Sequence, residues 1–183
     1  MHKLAKRSLA WLLVIAMCIS FLPTVVFAAD VTDADSLISA LSGGDDIINL
    51  TSDITLTSEL TVSRAVTIDG GNHTIRAGSS VPKLITCTAD LTLKNVTLDA
   101  TNVEKYALNT YLDNVTLENV TIINGSNTWY GINVNGSTVT ATNLNVDSFK
   151  FAGVNVDPKN AASVLSLNSG SLANGIYLDE PLD

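Results

Sequence analysis

The sequence predicts an all-β chain, a parallel β-helix whose coils each hold three short strands in about 22–26 residues. Three observations lead there. A six-letter phrase is rewritten at a fixed interval: LKNVTL at Leu93–Leu98, LENVTI at Leu117–Ile122 and ATNLNV at Ala141–Val146, each 24 residues after the last. A second family of phrases, GINV at Gly131–Val134, GVNV at Gly153–Val156 and GIYL at Gly175–Leu178, is spaced by 22. Within the first family, apolar residues alternate with Thr at the period of a strand, and the alternation slips by one at Asn95, Asn119 or Asn143 before resuming. Both apolar pairs can face one side only if the chain turns a corner at the slip. Asn tolerates the left-handed backbone such a corner needs.

The first element is a targeting segment. His2, Lys3, Lys6 and Arg7 form a basic start, an apolar run follows from Leu9 to Leu22, and Val26-Phe27-Ala28 fits a cleavage site. Residues 1–28 therefore read as a secretory signal peptide cut after Ala28. The run is shorter than the ~20 residues a membrane span requires, and bulky Met17 before Cys18 speaks against a lipoprotein. The chain is expected to be secreted or cell-wall associated, with no membrane span after signal removal.

Residues 29–45 read as an N-terminal cap. Thr32 with Asp35 resembles a capping box, Ala34, Leu37, Ile38 and Leu41 fall on one helical face, and Gly43-Gly44 ends the helix. Its expected task is to lid the first coil, whose strands begin near Ile48, because an uncovered sheet edge invites pairing.

Residues 46–183 read as the β-helix. Coils stack ~4.8 Å apart, so equivalent residues lie above one another. Leu91, Val115, Val139 and Leu165 are expected to form one interior aliphatic stack, and Leu98, Ile122 and Val146 another. Val66, Ile68 and Gly70 begin an earlier copy, and Leu165 to Leu172 a degenerate later one. Asn95, Asn119 and Asn143 are expected to form a structural ladder in which each amide hydrogen-bonds the next, either turned inward or as a solvated corner column. A leucine-rich repeat has a similar period, but its Leu-based consensus does not recur. No second lid follows the GIYL strand, so the β-helix is expected to continue beyond Asp183 or the chain to be a fragment.

The signal peptide, the short cap, the phrase LTVSRAVTIDGGNHTI at Leu60–Ile75 and the NVT coils resemble the pectate-lyase-like adhesive domains of Gram-positive surface proteins. The resemblance covers essentially the mature chain. It implies a right-handed β-helix on a secreted or wall-attached protein that contacts host or neighbouring cell surfaces. It carries over no catalytic residue.

Composition narrows the function. All eighteen acidic residues but only seven of the ten basic ones lie beyond Ala28, a net charge of −11. Such a domain repels nucleic acid and anionic membranes, and a polyuronate too unless a divalent cation intervenes. Cys87 is the one mature cysteine, so no internal disulfide forms; a buried inert thiol is the plain reading, an intermolecular or reactive role the other. A pectate lyase would need a calcium cluster and an Arg base. Asp99 and Asp147 align but lie two coils, ~9.6 Å, apart, too far to share an ion that each must approach to ~2.5 Å. Arg64 and Arg76 lie in early coils, away from any acidic cluster the sequence places. His73 reads as a polar turn residue rather than a base or ligand, and Lys94 as a surface ion-pair partner of Glu118. The sequons at Asn95, Asn114 and Asn119 follow from Asn corners beside Thr-rich strands. No catalytic residue, metal ligand or cofactor is expected; calcium is possible, but no ligand cluster indicates it.

Binding is left to the aromatics. Trp129, Tyr130, Phe149 and Phe151 enter successive coils and could form a platform for a sugar ring, or could wedge the corners. The reading is an adhesive or carbohydrate-contacting β-helix whose partner is a polysaccharide or a surface ligand. The alternative is the N-terminal part of a polysaccharide lyase or glycoside hydrolase of the β-helix class.

Overall fold

The computed structural model describes residues 27–179, so the expected signal peptide, apart from Phe27 and Ala28, lies outside the described residues. Strand β1, Ala28–Val31, is followed by helix α1, Ala34–Gly43. The first coil holds β2 (Ile47–Leu50), β3 (Ile54–Leu56) and β4 (Leu60–Val62). The second holds β5 (Val66–Asp69), β6 (Thr74–Ala77) and β7 (Val81–Cys87). In the next three coils the first two strands run on through the corner as one bent element. These are β8 (Leu91–Asp99) with β9 (Val103–Tyr111), β10 (Asn114–Ile123) with β11 (Tyr130–Asn135), and β12 (Thr138–Val146) with β13 (Ala152–Asp157). The sixth coil is β14 (Val164–Leu167), β15 (Gly170–Leu172) and β16 (Ile176–Leu178).

Every strand pairs in parallel with its equivalents one coil away. One sheet runs β1-β2-β5-β8-β10-β12-β14, with β3, β6 and β15 continuing its second side, and the other runs β4-β7-β9-β11-β13-β16. The register is the one the repeat dictates: Val115 faces Leu91 and Val139, Val139 faces Leu165, and Ile122 faces Leu98 and Val146. Ile132 likewise lies between Leu108 and Val154. These columns make a continuous core in which Leu93, Leu98, Leu117, Ile122, Ile132 and Val154 have no solvent exposure. Each such side chain contributes ~1.5–3 kcal/mol over its exposed state. Pro82 interrupts β7 where the register shifts between Val81 and Lys83, a position where a missing N–H does no harm.

The structure departs from the sequence reading in several places. Strand β1 was not expected; four residues are too few for a periodicity signal, yet Val31 is buried and β1 pairs with β2. The capping box lies one residue later than Thr32: Asp33 accepts from the Ser36 amide and Ser36 Oγ accepts from the Asp33 amide. Leu37 and Ala40 of α1 are buried over the first coil, whereas Ile38 points outward. Lys94 is in register with Glu118, but its ammonium pairs at 3.2 Å with Asp69, one coil earlier.

Candidate functional site

Two asparagine columns flank the core and differ in burial. Asn95, Asn119 and Asn143 take φ of 51°, 54° and 55° at the corners between the two sides of the larger sheet. Asn119 Nδ2 donates to Asn95 Oδ1 and Asn143 Nδ2 to Asn119 Oδ1, both at 3.0 Å, and Asn95 Nδ2 donates to Asp69 at 3.1 Å. This column is not inward: Asn119 and Asn143 are exposed and Asn95 is half-buried. The left-handed bend turns the side chain to the outside of the corner while Val96, Val120 and Leu144 fill the inside.

The buried amide column lies in the second sheet and was not singled out in the sequence. Asn133 Nδ2 donates to Asn109 Oδ1 at 2.9 Å and Asn155 Nδ2 to Asn133 Oδ1 at 2.7 Å, and all three residues are buried. Ile132 and Val134 on either side of Asn133 belong to the core, so strand alternation puts the asparagine on the opposite face. The recurrent Asn in GINV and GVNV, spaced by 22, was the available signal.

Aromatic side chains gather on this sheet. Tyr106 is in register with Tyr130, and their rings stack with centroids 6.2 Å apart. Tyr130 also meets Phe151 at 5.6 Å and Tyr177 at 6.0 Å, and Trp129 meets Phe151 at 6.2 Å. Trp129, Phe151 and Tyr177 are 37%, 54% and 48% exposed, so the cluster faces solvent across the fourth to sixth coils. Phe149 does not join it. Its ring is buried in a corner, where a Cβ on Gly125 would come within 2.0 Å of it. Tyr106 and Tyr177 take its place; the 24-residue offset from Tyr106 to Tyr130 was the available signal. Burial, then Asp157, raises the Tyr106 hydroxyl above its usual pKa; burial and then Tyr177 do so for Tyr130. Both remain hydrogen-bond donors at neutral pH.

The acidic residues are dispersed. Among the described residues, no group of three or more His, Cys, Asp or Glu is placed to hold a metal ion. Arg64 is structural: Nε donates to Leu41 O at 2.7 Å, Nη2 to Ala40 O at 3.1 Å and also to Asp45 O, tying the end of α1 to the coils. Arg76, by contrast, does have acidic company. It lies 3.9 Å from Asp53, which also meets His73 at 3.6 Å, because coil stacking joins residues that are 20 or more apart in sequence. These side chains are 35–47% exposed, and pairs so solvated are worth ~0–1 kcal/mol. Cys87 is fully buried, and burial, reinforced by Asp113, pushes its thiol far above the ordinary range. The thiol is therefore unreactive.

Comparison with known proteins agrees with this arrangement. The family model described as a pectate lyase-like adhesive domain matches residues 28–163, from the first residue of β1 to the residue before β14. No curated protein and no solved structure matches the chain. With a stacked parallel β-helix over more than half of its length under that match, the chain belongs to the pectate lyase-like adhesive domain family.

Proposed function

We propose that this chain is a secreted, non-catalytic adhesive domain that holds glycans of a neighbouring surface against Trp129, Tyr130, Phe151 and the adjoining Tyr106 and Tyr177. The observation that carries the reading is the continuity of exposed and half-buried aromatic rings over successive coils, with centroids 5.6–6.2 Å apart. Exposed aromatics in a contiguous cluster are costly to leave in water and are enriched where proteins meet ligands. Aromatic rings offer an apolar face to the C–H side of a pyranose, and the phenol hydroxyls can bond to its alcohols. The rigid coil stack fixes the rings before any ligand arrives, which limits the entropy lost on binding.

The test is retention of the mature chain on a glycan array and on bacterial and host cell surfaces. Trp129→Ala should weaken retention by about tenfold or more, the loss typical of a contact worth over 1 kcal/mol. Undiminished retention of that variant, with its fold intact, would refute the aromatic face as the binding surface. Catalysis is checked by incubating the mature chain with polygalacturonate and calcium while following unsaturated product by absorbance, and with neutral glycans while following reducing ends. No turnover is expected. Turnover abolished by Asp53→Asn or Arg76→Ala would overturn the non-catalytic part.

A further inference from the structure

Among the described residues, the aromatic face is also where lysines stand without a carboxylate in ion-pair reach. Lys83, Lys94, Lys159 and Arg76 stand 3.4, 3.2, 3.0 and 3.9 Å from carboxylates. Arg64 is taken up by backbone carbonyls. Lys105 and Lys150 remain, and among the described residues neither meets a carboxylate within ion-pair distance. The Lys105 ammonium instead lies 5.1 Å from the centre of the Trp129 ring, and that of Lys150 lies 5.3 Å from the Phe151 ring. Backbone bonds fix their order. Trp129 N donates to Glu104 O, Phe151 N to Trp129 O and Lys150 N to Thr128 O. Lys105, Trp129 and the Lys150–Phe151 pair therefore lie on three successive coils, over ~10 Å of the axis. The neighbouring carboxylate, Glu104, accepts from the Ser80 hydroxyl one coil earlier at 2.9 Å.

We propose that this strip selects glycans whose rings carry an anionic substituent, a carboxylate or a sulfate. Lys105 and Lys150 read the charge, and Trp129 and Phe151 supply the stacking surface. The inference rests on the glycan-contact reading above. Each lysine's contact with a ring is electrostatic and, at an exposed site, weak. It leaves ammonium N–H donors available, and a ligand anion would add a charge-assisted hydrogen bond, about twice the strength of a neutral one. A neutral sugar would meet the same rings and leave both charges unanswered. The net charge of the chain opposes an acidic polymer only at a distance. Exposed charges are largely screened beyond ~8 Å at physiological ionic strength, so the two ammoniums in contact with the ligand decide.

The experiment measures binding of the mature chain to polygalacturonate, to dextran sulfate and to neutral dextran. The variants are Lys105→Gln, Lys150→Gln, the double variant and Trp129→Ala, each checked for its β-sheet circular dichroism. At least one acidic polymer should bind more tightly than dextran. The double lysine variant should lose about tenfold of that affinity, equivalent to ~1.4 kcal/mol, with dextran binding unchanged. Preference for polygalacturonate or for dextran sulfate identifies the carboxylate or the sulfate as the group read. Equal affinity for dextran, or an unchanged double variant, overturns the charge selection while leaving the aromatic platform in place. A Trp129→Ala variant that binds every polymer like the parent overturns the platform itself. Binding to no polymer overturns both.

Discussion

At the scale of single residues, burial decides what an asparagine column is worth. Asn133 is 2% exposed and bonded on both sides, so Asn133→Ala leaves Asn109 Oδ1 and Asn155 Nδ2 without partners. Each unsatisfied buried group costs ~1–3 kcal/mol, and the variant should lose about 2–4 kcal/mol by denaturant titration. Asn119 is exposed at φ 54°, so Asn119→Gly, which keeps that backbone accessible, should cost under about 1 kcal/mol. Equal losses at the two positions would show that the buried column has no special weight. Gly125 is a second pressure point. A methyl there meets the Phe149 ring at 2.0 Å, and overpacking of this kind costs ~1–3 kcal/mol. Gly125→Ala should therefore lower the melting midpoint, and Gly125→Ala with Phe149→Leu should recover part of it.

At the scale of elements, α1 closes the stack through few contacts. Leu37 and Ala40 supply the buried face, Asp33 and Ser36 the N-terminal box, and Gly44 at φ 93° the exit. Arg64 then reaches from the turn between the first and second coils to the carbonyls of Ala40 and Leu41. Hydrogen bonds from a charged donor are worth ~1.5–3 kcal/mol, so Arg64→Ala should destabilise by about that much. The loss should be local: amide hydrogen exchange should quicken in β1, α1 and β2 and stay slow in β8, β10 and β12. Uniform acceleration would mean that cap and coils unfold as one unit. The box position was misread because Thr32 and Asp33 are both acceptable caps, and only the docking of Leu37 on the first coil chooses between them.

At the scale of the whole molecule, acid stability follows from where the carboxylates sit. Burial alone would raise Asp69, but the amides of Asn95 and Gly71 and the Lys94 ammonium outweigh it, and its pKa falls below the usual value. Burial would also raise Asp99, yet Thr101, Asn124 and Arg76 bring it down. A depressed folded-state pKa stabilises the fold above the unfolded value, about 3.9 for Asp, and that contribution disappears as pH drops through the folded value. The melting midpoint should thus fall as pH is lowered below about 4, and Asp69→Asn should flatten part of the fall. Self-repulsion among excess carboxylates acts the opposite way, since acid relieves it. A midpoint that rises on acidification to pH ~3 would show that repulsion is the larger effect.

The sequence by itself determined the coil. A repeat of 24 with a parity slip at Asn95, Asn119 and Asn143 admits few backbones, and the register of Val115 with Leu91 and Val139 follows from it, because stacking puts each residue over its equivalent. The aromatic face was half legible: Trp129, Tyr130 and Phe151 lie on it, but Phe149 turns into the core beside Gly125. One-dimensional spacing fixes the coil in which a side chain lies. It does not fix which side of a corner that side chain takes, because that depends on the volume left by glycines in neighbouring coils. The same limit hid the buried ladder of Asn109, Asn133 and Asn155, the pairing of Lys94 with Asp69, and the Lys105 ammonium laid over the Trp129 ring. Each is a contact between coils, chosen by local packing and charge among partners that the repeat makes equally near.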